Sequence, residues 1–308
     1  MSDYTFQDNA FLGADTTSLF QQEAFFRLHA GERGRFFEWA ADRKVAASVH
    51  FTPVGDDGLW RSPASGTFAG FAFEPKFKVS DFFAFSDRIE TTLREEGAKG
   101  LEVLPAPMSH DPVSFSNQLY LLRTCGYEIT RCDLNQSMEI DARFLSTRMT
   151  YGNNKRLRKC QREGLIGKQL PLSALPEVYE SLVANRSGKG HVLSMTLMQL
   201  QTMVDTFPTS IVLFGCQDGA SLAAASLCIR LSPAVLYVFY WGDRPGYEAY
   251  SPVVSVADAI YAYAQAEHVK LIDVGTSTLD RDPNFGLLDF KRGLGFTESL
   301  KVRMSKKI

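Results

Sequence analysis

Two charged residues stand inside apolar stretches near the end of this 308-residue chain, and both could take part in chemistry. Asp273 is flanked by Leu271, Ile272 and Val274, and Lys291 stands between Phe290 and the glycine-containing segment 293–295. Buried carboxylates are rare unless they are paired. Asp273 is therefore either a structural acid paired with Lys291 or Arg281, or a general base with a raised pKa. Lys291 could instead be a surface lysine whose stem covers apolar neighbours while its amine reaches water.

The elements around these residues predict a mixed sheet with helices on its faces. Residues 211–241 read as three strands joined by turns, followed by an amphipathic helix at 253–269 and a short strand at 270–275. A second helix at 285–296 leads into a last strand. Hairpin-linked strands followed by helix, strand, helix and strand indicate an α/β fold.

The order of the short motifs in this region resembles the C-terminal half of the Fem-like acyltransferases, a group related to the GNAT acyltransferases. The motifs are Tyr240-Trp241-Gly242, Tyr250-Ser251-Pro252, Asp273-Val274-Gly275, Asn284-Phe285-Gly286 and Phe290-Lys291. The resemblance covers the second half of the chain well and the first half loosely. It implies a bacterial-type enzyme that moves an acyl or aminoacyl group to an amine or hydroxyl of a sugar, an amino-acid derivative or a cell-envelope precursor.

The resemblance also implies where the site lies. In a GNAT fold the donor lies where two central parallel strands separate, here strands 235–241 and 270–275, and the FK motif of Fem-like enzymes lines the active centre. Transfer needs a positioned carbonyl, a donor for the developing oxyanion and a route for the proton. The predicted catalytic residues are Asp273, Lys291 and Tyr240. The predicted donor-binding residues are Trp241, Arg244, Ser251, Gly275, Thr276 and Asn284.

The expected donor is acyl-CoA or a related activated acyl compound, with no covalently bound cofactor. Ser251-Pro252 opens a helix, and a helix N-terminus is a natural anion site. Acetyl-CoA-dependent GNAT enzymes have a glycine-rich loop there. Residues 243–250 offer only Arg244 and Gly246, which puts acetyl-CoA in doubt as the donor.

The most basic stretch of the chain lies at 151–165 and resembles the Arg/Lys-rich helix that opens the second domain of Fem-like enzymes. Arg156, Arg158 and Lys159 from this stretch, together with Arg186, are the predicted substrate-binding residues. Such a helix suits a phosphate-bearing donor or substrate. A solvated helix face is the alternative interpretation.

A pattern repeats at an offset of about 170 residues. Residues 95–103 parallel 266–274, Asp111-Pro112 parallels Asp282-Pro283, and Gly126-Tyr127 parallels Gly295-Phe296. The offset exceeds the roughly 20–50 residues of a solenoid repeat, so it predicts a duplicated domain. We expect two tandem GNAT-like domains, 1–145 on the substrate side or degenerate, and 146–308 with the donor and catalytic site.

Composition narrows the class of protein further. The net charge is −2, but residues 1–154 carry −6 and residues 155–308 carry +4, so an anionic ligand fits the second half better. Five cysteines without a CxxC or His/Cys cluster predict neither disulfides nor a metal site. No apolar run approaches the roughly 18 residues of a membrane helix, and the N-terminus lacks a signal-peptide pattern, so we expect a cytoplasmic protein.

Two alternatives to an acyl-CoA-type transferase stay open. One is an aminoacyl-tRNA-dependent peptidyltransferase of the Fem type, with charged tRNA as its partner. The other is a tandem GNAT-like protein that binds a ligand without catalysis. The expected partners are otherwise a small-molecule donor and acceptor, with no DNA, and the sequence leaves the oligomeric state open.

Overall fold

The structure is a computed structural model that describes residues 4–13, 18–41, 44–63, 65–75, 77–279 and 282–308. Arg281, one of the two predicted partners of Asp273, lies outside these residues. The chain forms two compact units, Met1–Leu134 with Ser299–Ile308, and Asn135–Glu298.

In its described residues, the first unit is a sheet with three α-helices. Its strands are β1 (Thr5–Asp8), β2 (Arg35–Ala41), β3 (Lys44–Val54), β4 (Leu59–Ser62), β5 (Ala72–Phe73), β6 (Gly100–Val103) and the start of β7 (Glu128–Glu139). Its helices are α1 (Glu23–His29), α2 (Asp81–Glu95) and α3 (Pro112–Thr124). Strands β1 to β4 pair antiparallel in chain order, β5 pairs with β3, and β4 pairs parallel with β6. Its core is aromatic, with Trp60, Phe37, Phe51, Phe82 and Phe85 fully buried.

The second unit repeats this plan. Its helices are α4 (Tyr151–Arg162), α5 (Leu175–Ser187), α6 (Leu197–Thr206), α7 (Val253–Ala266) and α8 (Phe285–Gly293). Its strands are β8 (Gly167–Leu170), β9 (Ile211–Asp218), β10 (Ser221–Ser232), β11 (Val235–Asp243), β12 (Leu271–Thr276), β13 (Thr278–Leu279), β14 (Asp282–Pro283) and the start of β15 (Thr297–Lys307). Strands β8 to β11 pair antiparallel in chain order, and β11 pairs parallel with β12.

The last strand of each sheet comes from the other half of the sequence. In the first unit β6 pairs antiparallel with the end of β15, from Val103↔Met304 to Gly100↔Lys307. In the second unit β12 pairs antiparallel with the end of β7, including Leu271↔Glu139. The two sheets therefore have the same plan, as a duplication predicts, and the predicted mixed α/β fold is confirmed. The structure divides the chain after Leu134 rather than after 145, because β7 continues into the sheet of the second unit.

Gly167 marks a close approach between β8 and α7. A Cβ added at Gly167 would lie 2.2 Å from the carbonyl oxygen of Ser255, and the Gly167 N–H donates to Ser255 Oγ at 2.8 Å. We expect Gly167→Ala to destabilise the protein by about 1–3 kcal/mol, the usual cost of overpacking. Denaturant unfolding measures the change. Gly152→Ala is the matched control, because its added Cβ would meet nothing within 4 Å; an equal effect of both changes would contradict the prediction.

Candidate active site

Lys291 is an almost completely buried lysine in the second unit. Helix α8 begins after Asn284, whose side chain accepts a hydrogen bond from the Leu287 N–H at 3.0 Å. The helix turns Lys291 inward, so that the residue is 1% exposed. Its Nζ donates to the carbonyl oxygens of Gly275 at 3.0 Å and Thr276 at 2.9 Å. These two bonds use both N–H groups of a neutral amine and leave its lone pair unused.

Burial lowers the pKa of Lys291 to about 7, the nearby Asp273 carboxylate opposes this change, and the Arg186 guanidinium adds to it. At pH 7 about half of the amines with this pKa are neutral and able to accept a proton. The interpretation of Lys291 as a surface lysine is therefore wrong for this structure, since surface lysines keep their amines in water.

Asp273 is fully buried in β12 and lies two residues from Gly275. Its Oδ1 accepts hydrogen bonds from Asn135 Nδ2 at 2.9 Å and from the Gly275 N–H at 2.6 Å. The Gly275 peptide thus connects the two charged residues, with its N–H bonded to Asp273 and its carbonyl bonded to Lys291. Gly275 has a φ of +70°, a conformation that favours glycine. Through these bonds the main chain of Gly275 holds the Lys291 amine in place.

Tyr240 and Trp241 lie on β11 beyond the residues that pair with β12. The parallel pairing runs from Val235↔Leu271 to Tyr237↔Asp273, whereas β11 continues to Asp243. The Tyr240 hydroxyl is hydrogen-bonded to Ser194 Oγ, and burial raises the pKa of Tyr240, so the phenol keeps its proton. Trp241 packs beside the ring of Phe290, with centroids 5.9 Å apart.

Arg186 on α5 completes a group of cations. The guanidinium is partly buried, and it lowers the pKa of both Lys291 and Lys189. Arg186 makes no ion pair with an acid among the residues that the structure describes. A half-buried cation near two other cations attracts an anion or a developing negative charge.

The fold of the chain is similar to that of solved structures. No family model matches the chain, and no curated protein is similar to it in sequence. Among solved structures, FemX superposes with a TM-score of 0.75 at 12% identity, over 97% of this chain and 94% of that one. The L-PGS from Bacillus licheniformis gives 0.57 at 11% identity, over 88% and 83%. The tandem GNAT protein from the clavulanic acid biosynthesis pathway, without AcCoA, gives 0.52 at 11% identity, over 89% and 82%.

The chain has the FemX-like tandem GNAT fold. At these identities the likeness is one of fold, and it confirms the predicted fold class. The GNAT-type sheet of the second unit brings together Asp273, Lys291, Gly275 and Thr276 at the end of β12. Ser194 is a neighbour of Tyr240 that the sequence did not indicate.

The structure gives other partners to two residues predicted to bind the donor in this GNAT-type unit. Arg244 forms an ion pair with Glu180, with 2.9 Å between Nη2 and Oε1. Ser251 has a φ of +55° and its hydroxyl donates to Asp243 Oδ2 at 3.5 Å. Both donor-binding roles stay predictions, and both side chains already have partners within the chain.

Helix α4 presents its predicted substrate-binding residues on two faces. Arg156 and Lys159 line an open groove of about 860 Å³, which also contains Lys155, Arg292, Ser251 and Phe290. Arg158 lies instead on a second face with Tyr151, Lys155 and Arg162. Asp289 is the one acid lining either face among the described residues. The helix therefore offers phosphate groups a cationic surface on both sides.

No described helix is both long and apolar enough to cross a membrane. No three His, Cys, Asp or Glu residues among those described are placed to hold a metal ion.

Proposed function

We propose that this protein is an acyltransferase that moves an acyl or aminoacyl group from an activated donor to an amine or hydroxyl. The observation that carries the proposal is Lys291, a buried amine with its two N–H groups bonded to backbone carbonyls and a pKa of about 7. Perturbed pKa values of this kind are common at catalytic sites. The FemX-like fold supports the same class of reaction.

In the proposed reaction the acceptor amine or hydroxyl attacks the acyl carbonyl carbon, and Lys291 takes the proton that the acceptor loses. The carbonyl oxygen becomes an oxyanion, which Arg186 and the Tyr240 hydroxyl stabilise. The bond from the acyl carbon to the donor then breaks, and the leaving group accepts the proton from Lys291. Asp273 acts through the Gly275 peptide, which fixes the position of the amine.

The proposed acceptor is a sugar, an amino-acid derivative or a cell-envelope precursor, as the resemblance to Fem-like enzymes implies. Two donors remain candidates. The GNAT-type neighbours support an acyl-CoA, whereas the two cationic faces of α4 favour a polyanionic donor such as an aminoacyl-tRNA. A non-catalytic binding protein would bind one of these compounds without turnover.

Reversing a charge on α4 separates the two donors. If the donor is an aminoacyl-tRNA, Arg158→Glu should weaken its binding about tenfold or more, since a charge-assisted contact is worth roughly 1.5–3 kcal/mol. Binding should also weaken steeply as salt is raised. The measurement is a filter-binding titration with charged tRNA at two salt concentrations.

Lys168→Glu is the matched control for this experiment, because Lys168 is exposed on β8 of the same unit and lines neither face of α4. Equal losses for both variants would mean that the net charge, rather than α4, attracts the tRNA. Turnover with an acyl-CoA and no binding of tRNA would identify the first donor instead.

A further inference from the structure

The start of α7 is where a GNAT-type sheet could receive an anion, because it follows the carboxyl end of β11. In this chain an internal carboxylate already lies there. Asp243 Oδ1 accepts a hydrogen bond from the Val253 N–H at 2.5 Å, and Oδ2 accepts one from Ser251 Oγ at 3.5 Å. Both oxygens of Asp243 are therefore engaged at the helix N-terminus.

The remaining N–H groups of the first turn of α7 are also occupied. The Val254 N–H donates to the carbonyl of Ser251 at 3.0 Å, and the Ser255 N–H donates to the carbonyl of Pro252 at 2.9 Å. Pro252 has no N–H to offer. An incoming phosphate would find no unused backbone donor in this turn.

In the loop before α7, the groups that could bind an anion are likewise occupied by carboxylates of the chain. The Gly246 N–H donates to both carboxylate oxygens of Glu248, at 3.0 and 3.1 Å. The Tyr247 hydroxyl donates to Asp218 at 2.8 Å, and Arg244 is paired with Glu180. Carboxylates of the chain itself thus hold the amide, the hydroxyl and the guanidinium that could have bound an anion.

Asp243 is fixed in position by its neighbours. Its main-chain carbonyl accepts a hydrogen bond from Asn185 Nδ2 at 2.6 Å. Gly242 makes this approach possible, because a Cβ there would lie 2.5 Å from the Asn185 side chain. The main chain at Asp243 is therefore held in place, and the carboxylate cannot turn away from α7 without losing its bonds to the Val253 N–H and the Ser251 hydroxyl.

We infer that Asp243 is a specificity-determining residue, an internal anion that closes the N-terminus of α7 to donors anchored there by a diphosphate. The inference rests on the proposed transfer function, which requires an activated donor. CoA thioesters carry such a diphosphate and are rejected by this arrangement. The anionic part of the true donor is then held by the cationic faces of α4.

The test is a calorimetric titration of CoA itself into the whole protein, as wild type and as Asp243→Ala. The alanine variant uncovers the Val253 N–H and removes the negative charge, so it should bind CoA at least about tenfold more tightly, a change of roughly 1.4 kcal/mol. Asp243→Asn keeps an oxygen that accepts from the Val253 N–H but removes the charge, so its affinity for CoA should increase less than that of Asp243→Ala. Asp205→Asn, on the exposed end of α6, is the control and should show none.

CoA binding to wild type as tightly as to Asp243→Ala would overturn the inference. If the alanine variant does not fold, the asparagine variant decides, and a folded Asp243→Asn with wild-type affinity for CoA overturns it as well. The titration measures CoA binding and needs no turnover, so the inference about Asp243 can be overturned in a protein that does catalyse transfer. If Asp243 is found to prevent CoA binding but the protein transfers no acyl group, that result counts against the proposed function instead.

Discussion

Replacing Lys291 with methionine should lower the rate of acyl transfer by roughly a hundredfold or more, the usual contribution of a general base. Methionine has a similar length but cannot accept the proton of the acceptor. The carbonyls of Gly275 and Thr276 also lose their donor, which should lower the free energy of unfolding by about 1–3 kcal/mol. Initial rates at saturating donor and urea unfolding of the same preparation measure the two effects.

Lys270→Met is the matched control, because Lys270 is exposed immediately before β12 and should tolerate the same substitution. A Lys291→Met protein with wild-type activity would contradict the assignment of the catalytic base.

The pH dependence gives a second measurement on Lys291. The wild-type rate should rise with pH through about 7, because only the neutral amine accepts a proton, and the methionine variant should lack this rise.

The free energy of unfolding should also depend on pH through Lys291. The folded pKa lies below that of an unfolded lysine, so the unfolded state binds more protons between about pH 7 and 10.5 and stability rises across this window. The rise attributable to Lys291 should be absent from the variant.

Removing the last ten residues, so that the chain ends at Glu298, should prevent the first unit from folding. Val302 is 3% exposed and Met304 is fully buried in its core, and Lys306 Nζ bonds both carboxylate oxygens of Glu90 at 2.7 Å. Truncating one buried methionine to alanine costs about 2–5 kcal/mol, and a whole protein is stable by only about 5–15 kcal/mol. Removing residues 299–308 should therefore cost more free energy than the whole free energy of unfolding of the unit.

Limited proteolysis and circular dichroism report this loss, and a synthetic peptide of residues 299–308 added to the truncated chain should restore protection. Met304→Ala is the intermediate case and should fold with reduced stability. A truncated chain that resists protease in residues 18–134 as well as the full chain does would refute the role given to β15.

The sequence predicted the features that depend on local pattern. The mostly apolar segments 211–216 and 221–229 predicted β9 and β10, and the charged residues Asp273 and Lys291 stood out because their neighbours are apolar. Their burial follows from the same pattern. That Gly275 connects them could not be predicted, because the link depends on a turn of the backbone rather than on residue type.

Two other features depend on contacts distant in sequence. The sequence places Asp243 at the C-terminal end of a predicted strand, and only the fold brings its carboxylate to the Val253 N–H at the start of α7. The division of the chain after Leu134 also depends on distant contacts. Strands β7 and β15 have ordinary strand patterns, and a pattern does not reveal which sheet a strand joins.

The origin of the last strand in each sheet has a consequence for the nascent chain on the ribosome. The second unit takes its last strand from β7, which is synthesised before the rest of that unit, so its sheet can close as soon as β12 emerges. The first unit must wait for β15, and at about 5–20 residues per second the 164 residues from Asn135 to Glu298 take roughly 10–30 s to translate. During that time β6 presents an unpaired edge, the kind of surface on which chains aggregate. Early folding of this protein therefore depends on protection of β6 until β15 has been translated.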